Sequence, residues 1–262
     1  MLRSLIRRAT SLRLRNDLRL RLGRHPIELR ERFPDLAAVP LGRGAVVIDG
    51  GANVGAFSEC VLAWQPWARL HVFEPLPEVF ATLQERLARF GGVAFHRTAL
   101  GAVRGEADFH VNRVSQASSF FETGGELDQR LYGIDFSTAA TIRVPIETVA
   151  DYVREQDLGR VDLLKLDVQG YELEVLKGAE PVLDRIAYIY CEAQFRELYR
   201  GAPLAPEIFE WLHARNFTLR RMAAFCANDA GQLIQCDMLF AANQPRSHSS
   251  SGAILPGRPS RA

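Results

Sequence analysis

Three acids close three short apolar runs. VVID ends at Asp49 and opens a glycine turn that holds Gly50, Gly51, Asn53 and Gly55. Glu74 follows LHVF, with Pro75 after it, and Asp167 follows LLKL. A strand that runs into a glycine-rich turn and then a helix lets the backbone approach a ligand closely. Phosphates are frequent at such turns. A dinucleotide turn, however, reads G-x-G-x-x-G, and this one reads D-G-G-A-N-V-G. A pyrophosphate there would also face the Asp49 carboxylate, and like charges in a partly dry site repel. A cation gains from the same carboxylate.

Glu74 stands where an acid commonly grips both ribose hydroxyls, because a carboxylate offers an acceptor to each donor. Asp49 and Asp167 end the strands that flank the switch point, so they are expected to face each other across the pocket. A ligand with adenine, ribose, a positive centre and an amino group matches this set, and S-adenosylmethionine is that ligand. An NAD(P)-linked oxidoreductase is the rival from another class, and Asp49 with its turn spacing counts against it. A non-catalytic binding protein on the same fold is a further rival. For transfer to a hydroxyl, a general base would help, and the candidates are Asp167 and Glu192 at the ends of adjacent strands. Lys165 lies two residues before Asp167 and shares its strand face, either as an ion pair that orients Asp167 or as a substrate contact. Two carboxylates at neighbouring strand ends could hold Mg²⁺, but nothing has the ligand density of a committed metal site, so no metal is assigned. His71, His96 and His110 read as structural residues. Ser118 and Ser119 read as an acceptor contact or a plain turn, and Tyr171 as a rim residue or packing.

The elements that must position these groups alternate. Strands are expected at 45–49, 69–75, 93–101, 162–168 and 186–193, with late strands at 216–222 and 235–242. Helices are expected at 53–64, 77–90, 171–177 and 206–215, with Gly178 as a stop after the third. This pattern predicts an α/β fold with a mostly parallel sheet and helices on both faces. Residues 102–145 break the alternation. GEADFHV (105–111) suits a short extra strand, and the polar remainder reads as an insertion, a lid or binding loop.

Composition sets the limits. A length of 262 residues suits one domain, taken as 44–243, with an Arg-rich helical extension at 1–43 and a disordered Ser/Pro/Gly-rich tail at 244–262. Residues 1–32 hold ten Arg against Asp17, Glu28 and Glu31, although the whole chain is only +1. That helix is expected to pack on the domain, with contact to a membrane surface or an acidic partner as the alternative. The basic residues cluster outside the domain and lack interleaved aromatics, so nucleic acid is a poor substrate. Four cysteines without a C-x-x-C pair suit reduced thiols in the cytoplasm. No apolar run is long enough to span a bilayer.

IDGGANVGAFS, FEPLPEVF, TALG with GEADF, ASSF, VDLLKLDVQGYELEVLKGA, E-x-x-F-x-x-LY-x-G (192–201) and DMLF occur in this order. The set resembles the FkbM family of S-adenosylmethionine-dependent methyltransferases over about residues 44–242, most specifically at 161–179. Gly50 departs from the valine more often found there. The resemblance implies a class I methyltransferase Rossmann-like fold, with seven strands and a reversed last hairpin. It implies that Asp49, Gly51, Asn53 and Gly55 line the methionine and ribose side and that Glu74 binds the ribose hydroxyls. Ala99 and Leu100 would lie near adenine, and Asp167 would face the methionine or the acceptor. It also implies O-methylation of a small-molecule or glycan acceptor, a sugar or secondary metabolite. A nitrogen or carboxylate acceptor fits the acids equally well.

Overall fold

The computed structural model describes residues 33–124 and 135–243. Residues 1–32 of the expected Arg-rich helical extension, the middle of the expected lid (125–134) and the tail from 244 lie outside the described residues.

In chain order the strands are β1 (Val46–Gly50), β2 (Arg69–Phe73), β3 (Val93–His96), β4 (Ala99–Leu100), β5 (Gly105–Asn112), β6 (Thr138–Glu147), β7 (Val161–Leu166), β8 (Ile186–Gln194), β9 (Phe217–Ala227) and β10 (Leu233–Ala242). The helices are α1 (Ala56–Trp64), α2 (Pro77–Leu87), α3 (Val149–Glu155), α4 (Glu172–Ala179) and α5 (Ala205–His213). The main sheet runs β3-β2-β1-β7-β8-β10-β9. Its first five strands are parallel and β10 is antiparallel to both neighbours, which is the expected reversed hairpin. The chain leaves β1 toward β2 and returns on its other side as β7, so the switch point lies between β1 and β7.

All of β1 is buried, as a parallel strand covered on both faces must be. One face packs Val47, Leu70 and Val72 against Phe57 and Val61 of α1 and Leu83 and Leu87 of α2. The other packs Ile48, Leu164 and Leu166 against Val149 of α3, Leu176 of α4 and Leu212 of α5. Apolar side chains at helical spacing thus face the sheet from both sides.

Four expectations are corrected. The strand expected at 93–101 breaks after His96. Ala99 and Leu100 leave the main sheet and pair with β6, where Thr98 Oγ1 donates to the Pro145 carbonyl at 2.8 Å. The short extra strand expected at 105–111 is present as β5, but the segment after it is not all lid, since β6 pairs antiparallel with β5 and both join β4 in a three-stranded sheet. Gly178 is not a helix stop. It lies inside α4, where an added Cβ would fall 2.0 Å from the Gly101 carbonyl oxygen, so it permits close backbone packing. α1 also starts later than expected, at Ala56, because Asn53 and Gly55 both have left-handed backbones (φ 49° and 80°). α3 has a conventional start, with the Thr148 side chain accepting from the Asp151 N–H.

Candidate active site

The β1–β7 register places Asp49 beside Lys165. The Lys165 ammonium lies 3.0 Å from Asp49 Oδ1 and 3.8 Å from Asp167 Oδ2. It also donates to the Gly51 carbonyl at 2.8 Å. Ser58 donates to the other Asp49 oxygen at 2.6 Å. Asp49 is fully buried and Lys165 nearly so. Asp49 and Asp167 therefore do not face each other across open space as expected. Lys165 stands between them and holds Asp49 more closely than Asp167. Burial works to lower the Lys165 ammonium, but the charges of Asp49 and Asp167 outweigh it and hold it raised.

Gly51 has φ 69°, and a Cβ there would lie 1.9 Å from the Asp167 carbonyl oxygen. Only glycine allows the β1 turn to approach the end of β7 this closely. At Gly55 a Cβ would meet Leu83 at 2.7 Å, so this glycine serves the packing of α1 on α2. Glu74 accepts from the Asn53 N–H at 3.0 Å and from the Leu76 N–H at 2.9 Å, which fixes both oxygens at the end of β2. Burial pushes its carboxyl up to about 7 against the pull of these two bonds. Ala99 and Leu100 are buried, and Leu100 packs toward Gly50. Pro75 is half-buried beside Glu74.

Gly51, Asn53, Glu74, Asp167 and Glu192 line one cavity of about 430 Å³, a size suited to a small-molecule ligand. The loop 114–118 and Tyr199 close its other side. A larger groove of about 1340 Å³ lies at the opposite end of β7 and β8, beside Arg160 and Arg185, and contains none of the expected site residues.

The acceptor-side acids are held by amides. Gln169 Nε2 donates to Asp167 Oδ1 at 2.7 Å and to Glu192 Oε2 at 2.9 Å. Gln235 Nε2 donates to Glu192 Oε1 at 2.6 Å. Burial, together with the charges of Asp167 and Glu172, pushes the Glu192 carboxyl well above the usual range. Asp167 is half-exposed. The two candidate bases therefore sit in unlike environments.

Gln169, Gln235 and Tyr199 received no role from the sequence, although Gln169 and Tyr199 stand inside quoted motifs. A usable signal existed on β10, where Gln235 alternates with Asp237 on the face that meets Glu192. His71 and His96 bracket the Tyr152 hydroxyl at 2.6 and 2.7 Å, in keeping with a structural role. Ser119 donates to the Gln169 carbonyl, and Tyr171 packs on Phe120.

A family model described as a methyltransferase FkbM domain matches residues 49–219. The chain is 28% identical over 162 residues to 2-O-methyltransferase NoeI of Sinorhizobium fredii, covering 60% of this chain and 66% of NoeI. It is 28% identical to methyltransferase sdnD of Sordaria araneosa, covering 76% and 83% of the two chains. It is also 28% identical to 31-O-demethyl-FK506 methyltransferase FkbM of Streptomyces tacrolimicus, covering 58% and 67%.

Proposed function

The chain belongs to the FkbM methyltransferase family, and from that premise we propose that it transfers a methyl group from S-adenosylmethionine to a hydroxyl of a glycan or secondary metabolite. The observation that carries this reading is the cavity wall. It presents Glu74, Asp167 and Glu192 and, among the described residues, no Lys, Arg or His. Such a wall favours a cationic ligand and opposes a pyrophosphate. The residues present fit the cofactor, because Gly51, Asn53 and Glu74 line the cavity together and Glu74 lies ready for two hydroxyl donors.

We assign Gly50, Gly51, Asn53, Gly55, Glu74 and Pro75 to the cofactor side, with Ala99 and Leu100 toward adenine. Asp49 acts from beneath, through Lys165 and the Gly51 carbonyl. When bound, S-adenosylmethionine supplies an electrophilic methyl group, so the protein's task is to hold an acceptor in line and take its proton. Glu192 is the general base in this reading, since it lines the cavity with its two oxygens held by Gln169 and Gln235. Asp167, close to Lys165, orients the acceptor or the methionine amino group. Two relatives are named for O-methylation, which supports oxygen as the acceptor atom. All four cysteines are outside disulfides, which supports a reducing compartment such as the cytoplasm. No helix among the described residues is long and apolar enough to cross a membrane.

The test is a tritium-methyl screen over hydroxylated sugars and metabolites, with the product's methyl position read by NMR. An O-methyl product and a Glu192→Gln variant slowed about 100-fold or more support the reading. An N-methyl product, or full activity in Glu192→Gln, overturns the acceptor or the base respectively.

A pH dependence follows from Glu74. The ionised carboxylate is the form that accepts from both ribose hydroxyls, and protonation competes with it below about 7. Affinity for S-adenosylmethionine is therefore full above that pH and falls as the pH drops through it. Between pH 8 and pH 6 the loss is about tenfold. Calorimetry across this range checks it, and Glu74→Gln should bind weakly with the Glu74 component of the slope absent.

A further inference from the structure

Among the described residues, Gln169 is the one side chain that hydrogen-bonds to both candidate bases. Its Nε2 donates to Asp167 and Glu192, while Oε1 accepts from the Tyr199 hydroxyl at 2.7 Å. The backbone there is unusual too. Gln169 has φ 56°, a left-handed conformation that a non-glycine residue rarely adopts. Ser119 Oγ donates to the Gln169 carbonyl at 2.7 Å and holds that conformation. Tyr199 and Ser119 both belong to the segments that wall the cavity opposite the cofactor side, and those segments bridge at Thr123 and Tyr199. A strained residue in a cavity wall, held on two sides and holding two acids, points to a purpose beyond chain reversal.

We propose that Gln169 is the positioning residue of the acceptor side, holding Asp167 and Glu192 as one coupled pair and tying that pair to the closing loops through Tyr199 and Ser119. This rests on reading the cavity as the acceptor site. One amide that gives a hydrogen to each carboxyl fixes their separation. With Gln235 on the other oxygen of Glu192, both oxygens of that acid have protein donors. Neither amide nitrogen can take a proton from Glu192.

The test is a double-mutant cycle read by ¹³C NMR titration of the Glu192 carboxyl, assigned by its loss in Glu192→Gln. It needs no acceptor and no cofactor, so its result is separate from the fate of the methyltransferase reading. Asp167→Asn in the otherwise natural chain should move the Glu192 midpoint down by about one pH unit, because a neighbouring like charge is removed. In a Gln169→Gly background, which suits the left-handed backbone and deletes only the clamp, the same change should move it by less than about a third of that. Tyr199→Phe, which frees the amide without altering the backbone, should give a coupling between the two. Equal shifts in the natural and Gln169→Gly backgrounds would overturn the proposal and leave Gln169 a residue of the turn alone.

Discussion

Replacing Lys165 by Met is expected to lower the unfolding free energy by about 3–5 kcal/mol, because it leaves a buried carboxylate without its cation. Asp49 is 0% exposed, and its Oδ1 has the Lys165 ammonium at 3.0 Å. Met keeps most of the aliphatic volume, so the loss isolates the charge. The Ser58 hydroxyl remains on the other oxygen but cannot neutralise it. For a domain of this size the expected fall in Tm is about 10 °C. Urea denaturation measures the energy directly. A double change, Asp49→Asn with Lys165→Met, should recover much of the loss, since removing both members of a buried pair is often close to neutral. A single-variant loss below about 1 kcal/mol would mean that Asp49 is not relying on Lys165.

Gly51→Ala is expected to cost about 2–4 kcal/mol and to weaken S-adenosylmethionine binding at least 100-fold. The added methyl meets the Asp167 carbonyl oxygen at 1.9 Å, backbone against backbone, in a residue with φ 69°. Either β1 and β7 part at their carboxyl ends or the turn abandons its left-handed conformation. Both routes deform the cradle. Gly50→Ala is the internal control. There the nearest atoms, at 3.0 Å, are the terminal carbons of Leu100 and Leu166, which can shift. A Gly51→Ala variant as stable and as competent as Gly50→Ala would contradict the close approach.

The strands of the main sheet were legible because parallel strands covered on both faces read as unbroken apolar runs, as Val46–Ile48 and Leu163–Leu164 do. Glu74 was legible because its position after β2 follows from the fold alone. Of the second sheet only β5 was, as the short strand expected at 105–111. β6 is largely exposed and carries Pro145, which has no N–H to give a ladder, so its sequence lacks a strand signature. The partner of Lys165 was half legible. Alternation along β7 brings Lys165 toward Asp167, but its closer contact, Asp49, comes from the β1–β7 register, which no local pattern encodes. Gln169 was hidden for a related reason. Its reach to both acids depends on a left-handed backbone that the sequence Val168-Gln169-Gly170 does not announce.

The central claim is that this cavity binds S-adenosylmethionine through Glu74, and calorimetric titration of the full chain tests it most directly. S-adenosylmethionine and NADH are titrated in parallel against the natural chain and against Glu74→Ala. Micromolar binding of S-adenosylmethionine is expected, with no NADH response. Removing two charge-assisted hydrogen bonds in Glu74→Ala should weaken binding about 100-fold or more. Binding of NADH without S-adenosylmethionine, or S-adenosylmethionine binding that Glu74→Ala leaves unchanged, would contradict it.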